Sequence, residues 1–453
     1  MDNQTNLTTK GRGLLRKRWP HKAACCFFAV LLFYNFIVIL RCNFPSIGVN
    51  YTHYAIDYTV GFCTRLLPGA VYNLFVPSPS AVTANIYVYL LTLLLFAAVS
   101  LLLERVLLSL PADRQPLMLL LFLFYLTGPA TFSLYAHAFG LLDLHWLILM
   151  VPFFLLLRSK WGLFLLPAFP LLLLLTSFGA IVSWIPFTVL LILYELTLQT
   201  DQKDRRRLTA VFLAALLTAG GSFLYFAANE KKNLVYTVDE FNQYMHERGC
   251  DIVAYYDDSF YDAFETAVDF YVSLHGTSGS PYASHLNGYI DQKEFFPEMP
   301  DGPLKRMINE FGNRFARHWE LYKMYDYGQL KKSLALFGGL FLVMLPPFVL
   351  LYSVLVKKYR AAKGKKPDRF LYFCCLAFFP LLLFAVPVVS TDTTRWIMHA
   401  FMILFTFVIY MVYREKEAVT EVLRERLAKI PRFAILFYYA IYAFTFVTPY
   451  TYY

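Results

Sequence analysis

The run Leu141-Leu142-Asp143-Leu144-His145-Trp146-Leu147-Ile148-Leu149-Met150-Val151-Pro152-Phe153-Phe154-Leu155-Leu156-Leu157 decides how this chain folds. It holds one formal charge, Asp143, and is followed at once by Arg158 and Lys160. A helix built from it has no polar face to offer water. It fits instead the hydrocarbon core of a bilayer, which about 20 apolar helical residues cross. A carboxylate at membrane depth is costly to insert, so Asp143 is a functional candidate by default.

The rest of the chain repeats this pattern. It is 58% hydrophobic and only 16% charged, with a mean hydropathy of +0.49, a balance that no soluble domain keeps dry. Spans fall near 23–40, 85–103, 116–132, 140–157, 161–176, 180–198, 208–227, 332–355, 370–388, 396–413 and 433–448. The expected fold is therefore an all-α polytopic membrane protein with about eleven transmembrane helices. The run 161–198 is broken by Thr176-Ser177 and reads as a tight hairpin. The first run, 23–40, follows a basic stretch as a signal peptide would. It lacks a small-x-small cleavage site and ends on Arg41, so it reads as a retained span.

The net charge of +10 does not point to nucleic acid. Its Lys and Arg sit largely in alternate short loops, which is how topology is encoded. With residues 1–22 cytoplasmic, Arg105, Arg114, Arg158, Lys160, Lys203, Arg205, Arg206, Arg207, the cluster Lys357–Arg369 and the mixed segment Arg414–Arg432 all face inward. The C-terminus then lies outside, in a plasma (inner) membrane. The chain divides into an N-terminal bundle 23–228 with a first external loop 41–84, an external segment 229–331, and a C-terminal bundle 332–453. Asp258–Leu274 and Pro303–Met324 have helical periodicity with polar faces, which predicts a mostly helical external cap.

Three carboxylates, Asp57, Asp143 and Asp392, fall at the outer ends of apolar segments. Asp57 sits among Tyr51, Tyr54 and Tyr58, ahead of Gly61-Phe62-Cys63-Thr64-Arg65. A partly desolvated carboxylate suits a general base, and Arg65 has the fork geometry that holds a phosphate. The same residues also fit a loop-capping Asp and a snorkelling Arg. Asp392 and Arg395 are three apart at the start of the tenth span and meet on one helix face; Asp392 equally reads as an N-cap. Asp143 and His145, two apart, point to different faces and form no dyad.

Other chemistries find little support. The seven cysteines follow no metal spacing, and sequence leaves a Cys42–Cys63 bridge open. Asp257-Asp258 lacks the glycine turn of a calcium loop. No phosphate loop, dinucleotide fingerprint, nucleophile elbow or His-Glu-x-x-His occurs on a suitable element. The expectation is no cofactor, with nothing in the residues to support a divalent metal.

Asp57-x-x-x-Gly61-Phe62-x-x-Arg65, Gly140-x-x-Asp143 and Asp392-x-x-Arg395-Trp396 resemble elements of the GT-C superfamily of integral-membrane glycosyltransferases, in its bacterial surface-polysaccharide members. The resemblance implies Asp57 as the catalytic carboxylate. It implies a polyprenyl-phosphate sugar donor and a product made outside. The enzyme reading of the residues adds an external glycan or lipid-linked glycan as acceptor, with phosphate or substrate contacts from Arg65, Arg395, Asp392 and Asp143. The first loop has no second acidic residue, nor does Thr176-Ser177-Phe178, so the chemistry rests on Asp57. Two other readings share the lipid substrate: a lipid-linked oligosaccharide flippase or transporter, and a polysaccharide polymerase.

Overall fold

The fold is that of a computed structural model, which describes residues 52–64, 66–76, 79–127, 143–229, 233, 235–236, 238–248, 294, 296–302, 304–305, 308–309, 327–364, 366–384 and 393–444. Among these, every regular element is helical. Five helices among the described residues are long and apolar enough to cross a membrane.

The described residues begin with a short helix α1 (Thr52–Ala55), a 3-10 turn (Tyr58–Val60) and α2 (Leu67–Phe75), whose Pro68 lies at the helix start, where its missing N–H is harmless. Next comes α3 (Ala81–Leu108), which starts earlier than its apolar run. Ser80 and Thr83 cap it reciprocally, each bonding the other's backbone N–H. Then follow α4 (Gln115–Thr127) and α5 (Asp143–Leu156). The predicted hairpin 161–198 is a 3-10 stretch (Gly162–Ala168), α6 (Phe169–Thr176), a second 3-10 turn (Phe178–Val182) and α7 (Trp184–Leu198). At 15 residues α7 is only ~22 Å long, less than a full bilayer core.

The second half of the bundle is built from α8 (Gln202–Asn229), the amphipathic α9 (Val238–Glu247), α10 (Tyr327–Ala361), α11 (Lys366–Phe384), α12 (Thr393–Leu427) and α13 (Arg432–Phe444). Apart from α9 and a few residues of 294–309, the predicted cap lies outside the described residues, as does the first span 23–40.

Helix α12 is the axis of the bundle. Of its apolar stretch 89% is buried, against 22–33% for the other four long helices described, so it is largely enclosed by protein while they are exposed along much of their length. It packs on α10, α11, α7, α4 and α3. Its backbone leaves helical geometry at Glu415 and Lys416, so the rod bends there.

Prolines inside apolar helices leave carbonyls without their usual donor four residues on. Two of these are answered from neighbouring helices. Pro380 frees the Leu376 carbonyl, and the Tyr352 hydroxyl of α10 donates to it at 2.8 Å. Pro347 frees the Val343 carbonyl, and the Tyr438 hydroxyl of α13 donates to that one. In hydrocarbon no water can do this, so the tyrosines tie the helices together.

Candidate functional site

Asp57 is fixed by its own turn. Its backbone is extended (φ −137°), and one carboxylate oxygen accepts from the Thr59 N–H at 2.9 Å and the Thr59 hydroxyl at 2.6 Å. The turn closes at Gly61 with φ 137°, a conformation that favours glycine. The other oxygen accepts from Asn73 Nδ2 of α2 at 2.7 Å and faces Arg248 Nη2 at 3.3 Å. Arg248 follows α9, lies 4.2 Å over the Tyr244 ring, and donates to the Ala55 carbonyl at 2.7 Å. Val235 N–H to the Val60 carbonyl (3.0 Å) and Asn233 to the Phe62 carbonyl (2.8 Å) complete the docking of 233–248 onto the first loop.

Burial alone would raise the Asp57 pKa. The two Thr59 bonds, the Arg248 charge and the Asn73 amide outweigh it, so the carboxyl is held below its usual range. Burial pushes the neighbouring Tyr244 phenol up to about 12. The result is an ionised carboxylate beside an arginine on an aromatic floor.

Tyr54 links this loop to the helices. Its ring lies 5.8 Å from Tyr72, 5.9 Å from Tyr87 at the start of α3, and 5.7 Å from His145 in the first turn of α5. Asp57 and Asp143 therefore lie at one end of the bundle, held by different partners. Asp143, in the first turn of α5, places Oδ1 3.5 Å from His399 Nε2 on α12. His399 is fully buried, with Trp146, Trp184 and Trp396 ring centres at 5.4, 5.9 and 5.6 Å. The Trp184 indole N–H donates to His399 Nδ1 at 3.1 Å. Nδ1 is thus an acceptor, and the imidazole proton sits on Nε2, facing Asp143. Gly179 makes room for the cage: a Cβ there would meet Trp396 at 3.0 Å. The ring nitrogens of His145 find no hydrogen-bond partner among the described residues.

The other end of the bundle is an ion-pair cluster. Glu195 of α7 is almost fully buried and accepts from Tyr410 at 2.6 Å and Arg414 Nη2 at 2.9 Å. At the bend of α12, Glu415 accepts from Tyr194 at 2.8 Å and from Lys358. Lys357 pairs with Glu425, and Arg114 with Glu421, beyond the bend.

Of the site residues expected from sequence, Arg65 and Asp392 lie outside the described residues. Arg395 stands in the first turn of α12, and its side chain is likewise outside them. Cys63 is buried, while Cys42 is not among the described residues. Sequence reasoning missed Arg248 and His399. Arg248 meets Asp57 across 191 residues, with no local spacing to announce it. His399 is three residues after Trp396 and four after Arg395, a pattern that reads as an ordinary span start. Among the described residues no three His, Cys, Asp or Glu side chains converge as a metal site requires.

Chemically, the Asp57 end offers an anion for accepting a proton and a cation for a phosphate. The Asp143–His399 pair offers a proton-bearing couple sealed by indoles. Comparison of the chain with protein-family models, curated proteins and solved structures yields no match.

Proposed function

We propose that the protein is a GT-C-like glycosyltransferase of the plasma membrane. In this reading it has eleven spans, a cytoplasmic N-terminus, and an external helical cap over the Asp57 end. It moves a sugar from a polyprenyl-phosphate donor to an external glycan or lipid-linked glycan. The observation that carries the reading is the Asp57–Arg248 pair at 3.3 Å, an acid and a phosphate-binding group set side by side at the end opposite the basic loops.

The step would run with inversion. The acceptor hydroxyl gives its proton to the Asp57 carboxylate while its oxygen bonds to the anomeric carbon. The anomeric C–O bond to phosphate breaks, and the electron pair leaves with the lipid phosphate toward Arg248. A fork-shaped guanidinium stabilises that developing charge. As the phosphate draws Arg248, Asp57 loses its counter-charge and becomes more basic. Binding the donor thus primes the base.

The test is sugar transfer from a polyprenyl-phosphate sugar by purified protein. Asp57→Asn is expected to abolish nearly all transfer while the donor still binds. Full transfer by that variant overturns the assignment. The transporter reading is favoured by one observation, the buried Asp143–His399 pair, since intramembrane ionisable couples mark proton relays. It predicts proton-coupled lipid-glycan movement in vesicles that Asp143→Asn stops.

A further inference from the structure

A cavity of about 340 Å³ opens between α3, α5, α7 and α12, on the side of the bundle away from Asp57. Its wall is hydrocarbon: Leu95, Val99, Met150, Phe154 and Ile409 among others. Several of the polar groups that line it are already matched. Tyr125 and Thr406 share a hydrogen bond at 3.3 Å, the Tyr410 hydroxyl donates to Glu195, and the Trp184 indole donates to His399. The deep wall is thus mainly apolar.

The mouth is different. Arg105, in the last turn of α3, and Arg158, just past α5, both line it and both are exposed. The two helices run in the same direction, because Tyr87 near the start of α3 and His145 at the start of α5 both meet Tyr54, so both arginines come to one end. Arg158 lies over the Tyr413 ring at 5.8 Å. Among the described residues neither guanidinium is paired with a carboxylate, whereas Arg114, Lys357, Lys358 and Arg414 at the same end all are.

An apolar hole with two uncompensated arginines at its lip suits an amphiphile with an anionic head. Leu155, which lines the cavity, is 50% exposed on the bundle surface, giving a tail a sideways way in from the bilayer. A methylene takes about the room of a water, ~30 Å³, so the cavity holds on the order of ten carbons, most of one acyl chain. We infer that this cavity binds one anionic glycerophospholipid, its phosphate on Arg105 and Arg158 and one acyl chain inside. The site is independent of the transferase reading and stands or falls apart from it.

The experiment is native mass spectrometry of the full-length protein equilibrated in detergent with equal phosphatidylglycerol and phosphatidylcholine. One retained phosphatidylglycerol per chain is expected. Arg105→Gln with Arg158→Gln should cut its retention about tenfold, and Val151→Trp, which fills the cavity with the charges intact, should abolish it. Equal retention of phosphatidylcholine, unchanged retention in the double variant, or displacement by equimolar polyprenyl phosphate overturns the proposal. Where a variant does not fold, quenching of the native protein's tryptophans by brominated phosphatidylglycerol decides instead. A saturable quench that weakens about tenfold at high salt supports the site, and an unsaturable or salt-independent one overturns it.

Discussion

At the scale of single residues, Asp57 and Arg248 form the test case. The folded pKa of Asp57 is depressed, so the anchoring it gives the first loop is fully present above the ordinary carboxylate value of about 4. That anchoring is lost as pH falls through the depressed folded value. Removing Arg248 takes away one of the forces holding the value down. Arg248→Gln should therefore move the acid limb of the pH–rate profile upward, toward the usual carboxylate range, and weaken donor binding. A limb that stays in place separates Asp57 from the reaction. Asp57→Asn should cost about 10²–10⁴-fold in turnover with little change in donor affinity, as for a positioned base. Asp57 and Asp143 were legible because a carboxylate is conspicuous beside an apolar run. Arg248 and His399 were not, because long-range pairing leaves no trace in local spacing.

At the scale of elements, prolines and buried ion pairs set the weak points. Tyr352→Phe removes one oxygen and strands the Leu376 carbonyl that Pro380 has freed, which should cost about 1–3 kcal/mol. The expected readout is a lower thermal unfolding temperature in detergent, with Pro380→Ala in the same background restoring most of it. An unshifted unfolding temperature would show the carbonyl bonded by another route. Glu195→Ala leaves Arg414, with only 18% of its side chain exposed, as an unmet charge. The loss should reach about 3 kcal/mol, while Glu195→Gln, which still accepts from Tyr410, should lose less. Among the described residues the apolar helices were legible from hydropathy, whereas the amphipathic α9 was not. The ends were not, since α3 begins at a Ser80–Thr83 capping box and α12 runs past its apolar stretch through a bend. The broken run 161–198 was recognisable from Thr176-Ser177, but its 3-10 turns come from packing that sequence does not display.

At the scale of the whole molecule, the long apolar stretches placed the five helices among the described residues that can cross a membrane, because a bilayer imposes length directly on sequence. The orientation is open to a direct measurement. A cysteine at Asp301, whose side chain is 94% exposed, should react with an impermeant maleimide added to intact cells. One at the exposed Lys363 should react only after permeabilisation. The reverse pattern would put the Asp57 end in the cytoplasm and end the transferase reading. The bond from Tyr438 to the Val343 carbonyl also sets a schedule for biogenesis. The two residues are 95 apart, so a ribosome needs on the order of ten seconds to make the second after the first. During that interval α10 sits in the membrane with a backbone acceptor that, among the described residues, α13 answers. A nascent chain stalled before α13 therefore displays a polar flaw at membrane depth, the kind of mark by which quality control tells an unfinished protein from a complete one.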